Sequence, residues 1–313
     1  MKKIAFIFPG QGSQSTGMGL DLYDNFEAAK AVYDIADKTL GKKISQICFN
    51  GPDEDLKLTI NAQSAIVATS IAALEAFKSQ CDIKPTITMG HSLGEYCAMY
   101  CADVMDLETT MKAIQKRSEL MDEATKTTKG TMAAVLGANI DTIKSALDEV
   151  SSLGLAQIAN YNDPTQIVIT GEVEAIEKAC ELIKERGAKR VVPLAVSGGF
   201  HSKLMTSARD GFVDFVKTLD LNEATIPVIT NVDANATTKV AEFSEKMPNQ
   251  INSSVMWVQT IQKAIEMGID TFIEFGNGKV LAGLNRKISA EIKTYNVFDS
   301  ESLKTTIEEL KGV

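Results

Sequence analysis

The hydrophobic pattern opens with a strand. Residues 3–8 (Lys-Ile-Ala-Phe-Ile-Phe) form a short apolar run stopped by Pro9-Gly10-Gln11-Gly12, the pattern of a buried strand entering a tight loop. Residues 62–78 carry Ala, Ile, Val and Leu at helical spacing, and Pro85 to Met89 is a short β-rich run. Gly90-His91-Ser92-Leu93-Gly94 follows at once, then helix-compatible residues 95–104, which together predict strand, sharp turn and helix. Between 127 and 197 the period changes. Strands are expected over 131–137, 155–160, 166–170 and 189–196, with helices over 140–150 and 173–186, and this β-α-β-β-α-β order is the ferredoxin-like arrangement.

After a helix expected over 202–219, strands and helices resume at 226–231, 251–267, 271–275 and 279–288, so the 127–197 unit reads as an insertion. The expectation is an α/β fold. A large parallel-sheet domain is built from 1–126 and 198–313, and a small ferredoxin-like domain from 127–197. No internal repeat or low-complexity segment interrupts this organisation.

Composition narrows the function classes. With 313 residues, 44% of them hydrophobic and 23% charged, the chain can bury a sizeable core. A formal net charge of -9 gives no general attraction for nucleic acid or an anionic membrane, because that binding rests on clustered Lys and Arg. Lys2-Lys3 is followed by only Ile4 to Phe8 before Pro9, too short a run for a signal peptide or a membrane span, so a cytoplasmic location is expected. Five cysteines (Cys48, Cys81, Cys97, Cys101, Cys180) are odd in number and scattered, with only two histidines beside them, so neither a disulfide framework nor a metal site is expected. Cys97 and Cys101 lie one helical turn apart, but no third and fourth ligand stands near them.

The chemistry centres on Ser92. A serine hydroxyl is a poor nucleophile and needs exposure, a base within hydrogen-bond reach and donors for the oxyanion. Glycines two places either side allow a strained turn that lifts the hydroxyl above the sheet and aims the next N–H, here that of Leu93, at the oxyanion. An ordinary glycine-rich βα turn has the same letters. For the base the chain offers only His91 and His201. His91 is adjacent to Ser92 and on a tight turn points away from it, whereas His201 follows a strand and the Ser197-Gly198-Gly199 loop. His201 is therefore the candidate base; a surface position or a helix-capping role before 202–219 is the alternative.

Arg117 falls in the apolar arc of Leu107, Met111, Ile114 and Met121 on a helix over 107–124. An arginine there either holds an anionic partner in its planar fork or snorkels from the edge of the stripe to water. Gly10-Gln11-Gly12 invites a dinucleotide reading, but Gly-x-Gly-x-x-Gly fails at Ser15. The loop instead offers a backbone N–H that would complete an oxyanion hole with Leu93. On these residues alone an esterase or thioesterase fits as well as an acyltransferase. It would need an acid between Ser92 and His201, for which Asp148 and Asp163 are available.

Taken in order, Phe8-Pro9-Gly10-Gln11-Gly12-Ser13-Gln14, Gly90-His91-Ser92-Leu93-Gly94-Glu95, Arg117 with Met121, Asn160-Tyr161-Asn162 through Gln166-Ile167-Val168-Ile169, Phe200-His201-Ser202 and Glu274-Phe275-Gly276 to Leu281 resemble the malonyl-CoA:acyl carrier protein transacylase family over nearly the whole chain. The resemblance implies an α/β-hydrolase-like large domain, a ferredoxin-like small domain and a site between them. It implies Ser92 as nucleophile, His201 as base, Gln11 and Leu93 N–H groups as oxyanion donors, and Arg117 as partner of the malonyl carboxylate. Gln250 would orient His201 through its backbone carbonyl, so that no aspartate is needed as third member.

Malonyl-CoA is then a substrate, no cofactor is implied, and the partners are a coenzyme A thioester and an acyl carrier protein. The pathway would be fatty acid biosynthesis, with a discrete acyltransferase of polyketide synthesis as alternative; Phe200 and Leu93 resemble the malonyl-selective pattern of the polyketide relatives. Because the chain is itself acidic, carrier-protein docking would need a local basic patch, for which Lys184, Arg186, Lys189 and Arg190, or Lys126 and Lys129, are candidates. Three positions depart from the family pattern: Ser64 where Pro is common, Asn277 in place of the usual Pro, and Gly199, which makes the loop carrying His201 more permissive.

Overall fold

In the computed structural model, which describes residues 3–311, the run Ile4–Phe8 becomes a strand (β1) with all five residues buried. Met1, Lys2, Gly312 and Val313 of the expected large domain lie outside the described residues. The remaining strands in chain order are β2 (Ile87–Gly90), β3 (Gly130–Leu136), β4 (Ala156–Asp163), β5 (Gln166–Glu172), β6 (Arg190–Pro193), β7 (Val228–Ile229), β8 (Ala236–Thr237), β9 (Thr271–Phe275) and β10 (Lys293–Val297). They form two sheets, ordered β10-β9-β1-β2-β7-β8 and β4-β5-β3-β6.

The first is parallel from β10 to β7, with β8 antiparallel at the edge. A parallel sheet covered on both faces explains why its strands read as unbroken apolar runs rather than alternating ones. Phe6 and Phe8 pack with Phe77 and Phe275 on one face. Ala5 and Ile7 join Ile87, Met89, Trp257 and Ile261 on the other. Helix Thr59–Gln80 is long and apolar enough to cross a membrane, yet most of it is buried against the first face. Being apolar around its circumference, it is a core helix.

The smaller sheet is antiparallel throughout, in the expected ferredoxin-like order. Its two faces have different jobs. Ala133, Val135, Ile158, Ile167, Ile169 and Val191 pack with Ile143, Ala146, Ile176 and Ile183 of helices Ile140–Glu149 and Val173–Glu185. The opposite face, with Met132, Ala134 and Val168, is turned to a cavity shared with the large sheet. β4 would present Asn160 and Asn162 on the helix-covered face by simple alternation from Ile158. An irregularity between Ile158 and Asn160 shifts the register by one, so that Asn160 pairs with Val168 and faces the cavity.

Several expected boundaries move. The segment 251–267 is not one element: helix Val240–Asn252 ends there, Ser253–Met256 is a non-helical break, and helix Trp257–Glu266 begins. Val255 in that break pairs with β4, giving its N–H to Ala159 and accepting from Tyr161. The strand expected over 226–231 pairs only at Val228–Ile229, because Thr230 and Asn231 turn their polar groups to other partners. The strand expected over 189–196 is shorter, at Arg190–Pro193, and 202–219 holds a 3-10 turn followed by helix Thr206–Val216.

Candidate active site

In open α/β sheets a crevice forms beyond the carboxyl ends of the strands where the chain order reverses. Here β1 is flanked by β2 on one side and β9 on the other, so the loops after β1, β2, β9 and β7 converge. Ser92 lies just beyond β2, in a left-handed backbone conformation (φ 52°). Such a conformation in a non-glycine residue costs on the order of 1–3 kcal/mol and persists only where its surroundings impose it. The flanking glycines are needed for close approach: a Cβ on Gly90 would sit 2.0 Å from the carbonyl carbon of Gly94, and one on Gly94 2.2 Å from the oxygen of Phe8. This is the strand-turn-helix setting expected for the pentapeptide.

Ser92 Oγ and His201 Nε2 are 2.7 Å apart. His201 Nδ1 faces two backbone carbonyls, of Gln250 at 3.0 Å and of Ser253 at 3.1 Å. Carbonyls only accept, so the proton resides on Nδ1 and Nε2 is left to accept from the serine hydroxyl. No carboxylate is hydrogen-bonded to His201 among the described residues. Asp163 is committed to Thr165 and Lys287, and Asp148 is exposed on its helix. The acid that a hydrolase triad requires is thus missing from both places offered for it. Burial, followed by the positive charge of Arg117, lowers the His201 pKa to about 3, so the ring is neutral.

His91 points away from Ser92, as expected for a tight turn. Its Nε2 bonds Asn162 Oδ1 at 2.8 Å, and burial lowers its pKa as well. The loop before His201 contains Gly198 and Gly199 but is clamped. Ser202 Oγ donates to Gly199 O at 2.5 Å, and Phe200, His201 and Ser202 are all buried. Asn277 likewise ties two loops together, its amide donating to Ser13 O and Ser15 Oγ.

Arg117 does not snorkel; it is 1% exposed. Its Nη1 donates to Gln63 Oε1 at 2.5 Å, and its Nη2 donates to Gln250 Oε1 at 3.0 Å and to Ser92 Oγ at 3.2 Å. The Tyr96 ring lies 5.7 Å from the guanidinium carbon, a cation–π distance. All these direct partners are neutral, and the Nε–H has none. Burial lowers the Arg117 pKa, but an arginine side chain stays charged. A buried cation with no carboxylate hydrogen-bonded to it, its nearest acidic group being the partly neutralised Glu95, lines a cavity of about 360 Å³ beside the serine, a site built to receive an anion.

Gln11 lines the same cavity. The N–H groups of Gln11 and Leu93 have no acceptor among the described residues, whereas that of Ser92 is taken by Asn231 Oδ1 at 2.7 Å. Gln250 does more than the sequence suggested. Its backbone oxygen accepts from His201, its Oε1 from Arg117, and its Nε2 donates to Ser92 O at 3.0 Å. Gln63 as guanidinium partner and Asn231 behind the serine were not legible in the sequence. Each is one polar letter without periodicity, and only its burial marks it.

A family model described as the acyl transferase domain matches residues 5–298. The malonyl CoA-acyl carrier protein transacylase of Bacillus subtilis is 46% identical over 312 residues, 99% of this chain and 98% of that protein. The chain belongs to the malonyl-CoA:acyl carrier protein transacylase family. The Staphylococcus aureus member is 39% identical over 313 residues, 100% of this chain and 98% of its own. Among solved structures, the family member from Clostridium perfringens superposes with a TM-score of 0.94 at 37% identity, covering 99% of this chain and 98% of that one. A malonyl-transacylase in complex with a type II PKS acyl-carrier protein superposes with a TM-score of 0.96 at 33% identity, covering 98% of this chain and 100% of that one. The α/β fold with its inserted antiparallel sheet is thus that of the transacylases.

Proposed function

We propose that this chain moves a malonyl group from malonyl-CoA to the phosphopantetheine thiol of acyl carrier protein through a malonyl ester on Ser92, in fatty acid biosynthesis. The observation that carries the reading is Arg117: a buried guanidinium whose hydrogen bonds all go to neutral groups, 3.2 Å from the hydroxyl that would attack. The names of the relatives support the reaction.

In the first half-reaction the Ser92 oxygen adds to the malonyl thioester carbonyl while His201 Nε2 takes the hydroxyl proton. The carbonyl oxygen becomes the oxyanion, received by the N–H groups of Gln11 and Leu93. Collapse breaks the C–S bond, His201 returns the proton to the coenzyme A sulfur, and the malonyl ester remains. In the second half-reaction the carrier thiol attacks that ester, its proton passes through His201 to Ser92, and the malonyl thioester leaves on the carrier. Arg117 pairs with the free carboxylate throughout, which fixes the acyl group relative to Oγ. The carbonyls of Gln250 and Ser253 hold the imidazole and its Nδ1 proton.

The chain divides on this reading into a large domain of 1–126 and 198–313 and a small domain of 127–197, with the substrate held between them, and it works in the cytoplasm. The test is intact-protein mass spectrometry after exposure to malonyl-CoA and acetyl-CoA in competition. A malonyl adduct on Ser92 that persists in water and is discharged by carrier-protein thiol is expected. Rapid release of free malonate without thiol would overturn the reading in favour of a hydrolase.

A further inference from the structure

The serine elbow is strained, and something must hold it. Two polar side chains, those of Asn231 and Gln250, converge on its backbone. Asn231 follows β7 and is fully buried. Its Oδ1 accepts the Ser92 N–H at 2.7 Å and its Nδ2 donates to Gly90 O at 2.7 Å, so that one amide brackets the turn on both sides of His91. The backbone of Asn231 is itself fixed. Its N–H donates to Glu95 Oε2 at 2.6 Å, and its carbonyl accepts from Met256 N at 3.1 Å.

We infer that Asn231, held from behind by Glu95, is a positioning residue that sets the left-handed backbone of Ser92 and thereby aims both the hydroxyl and the Leu93 N–H at the thioester carbonyl. That role rests on the reading of Ser92 as the acylated residue. The Ser92 N–H is consumed by Asn231, which leaves the Leu93 N–H as the elbow's donor to the cavity side. That N–H belongs to the same peptide plane as the Ser92 carbonyl, which accepts from Gln250 Nε2 and from Glu95 N, both at 3.0 Å. With the carbonyl pinned on one side, the N–H of a planar trans peptide points to the other. Asn231 fixes the preceding peptide in the same way, and between them the two planes leave Ser92 a single backbone conformation.

Only an amide meets the demand at position 231, because one end must accept and the other donate. A leucine there would leave the Ser92 N–H and the Gly90 carbonyl buried and unpaired. An aspartate keeps the acceptor but sets a carboxylate oxygen against the Gly90 carbonyl.

The experiment compares Asn231→Ala, Asn231→Asp and Ser92→Ala with the unaltered protein in single-turnover acylation by malonyl-CoA, read by quenched intact mass. Malonyl-CoA affinity is measured in parallel by calorimetry in the Ser92→Ala background. Asn231→Ala is expected to slow acylation about 100-fold with affinity changed by less than about threefold, since misplacing the nucleophile acts on the rate and not on binding. Asn231→Asp, which retains the acceptor for the Ser92 N–H, is expected to recover about tenfold of that loss. Should Asn231→Ala fail to fold, the isosteric aspartate carries the test by the same split between rate and affinity. Acylation of Asn231→Ala within about threefold of the unaltered protein, or equal losses of rate and affinity in both variants, would overturn the inference. If Ser92→Ala is itself still malonylated, the proposed function fails instead, and the two failures are distinguishable.

Discussion

Arg117 and Ser92 touch: Nη2 of the arginine donates to the serine Oγ at 3.2 Å, on an oxygen that also contacts His201 Nε2 at 2.7 Å. On the proposed reading, the contact puts the charge that pairs with the far carboxylate of the acyl group within reach of the reacting atom. Arg117→Ala should therefore lower kcat/KM for malonyl-CoA by about 100-fold or more, because the substrate carboxylate is then buried without a partner. Acetyl-CoA, with no carboxylate, should lose less than about tenfold. Equal losses for the two substrates would remove the assigned role, and competition kinetics decide it.

The neutral state of His201 has a pH signature. With its pKa lowered to about 3, against the usual 6.5, the base form is present throughout the neutral range. The folded protein resists a proton that the unfolded chain accepts, so this histidine's share of stability is whole above pH 6.5 and is lost as pH falls toward 3. In the Glu95→Gln protein, where that carboxyl no longer titrates, the rate of Ser92 acylation should be flat from pH 8 to pH 5. A limb of unit slope with a midpoint near 6.5 would contradict it.

Glu95 runs the other way. Burial raises its carboxyl from the usual 4.5 to about 7, against the hydrogen bonds from Asn231 and Gln250 that lower it. The folded state then holds a proton that the unfolded chain has lost, so stability falls as pH rises from 4.5 to 7 and the full cost is present above 7. Glu95→Gln keeps an acceptor oxygen and abolishes the titration. Its stability relative to the unaltered protein should improve by roughly 3 kcal/mol between pH 4.5 and 8. Urea unfolding at the two pH values measures this, and parallel curves would rule it out.

Two glycine substitutions separate contact from conformation. Gly94→Ala drives a methyl group to 2.2 Å from the Phe8 carbonyl oxygen, a backbone atom that cannot yield. A destabilisation of about 3 kcal/mol or more is expected. Gly283, in helix Val280–Ile288, has open space at the same test, and alanine there should stabilise by about 0.5–1 kcal/mol. Denaturant midpoints for the two proteins should move in opposite directions.

Docking of an acidic carrier protein can be located by charge reversal. Lys184, Arg186, Lys189 and Arg190 are exposed on the small sheet and its helix, as are Lys126 and Lys129 beside it. Arg186 is already paired with Glu149 and Lys126 with Asp122, which leaves Lys129, Lys184, Lys189 and Arg190 as the stronger candidates. Replacing them with glutamate should raise KM for carrier protein by about tenfold and leave that for malonyl-CoA within about twofold, an effect that added salt should shrink.

The architecture could be read from the chain wherever a period ran long enough. The βαββαβ order of the small domain, the unbroken run of β1 and the strand-turn-helix around Ser92 all follow from local pattern, and two histidines left little choice of base. What escaped was polar and non-local. Asn231 is 139 positions from the residue it holds, and at the end of a two-residue strand it has the look of a loop asparagine. The break at Ser253–Met256 hides inside an apolar stretch. Its purpose is to bring carbonyls to His201 and an edge to β4, which no pattern within residues 251–267 encodes. The shift in β4 is likewise invisible, since Ile158, Asn160 and Asn162 share a parity that the backbone reverses.

The Nδ1 side of His201 is held by two main-chain oxygens and, among the described residues, by no side chain. Every amino acid carries that oxygen, so no single codon change at position 250 or 253 can delete the acceptor itself. Whatever damage such changes do must come through the side chain of Gln250 or through displacement of the helix end. In a saturation screen, position 250 should therefore report on the arginine and the serine carbonyl, while position 253 should tolerate any residue that leaves the backbone path unaltered. The part of the relay most exposed to mutation in an aspartate-based triad is, in this protein, out of reach of the genetic code.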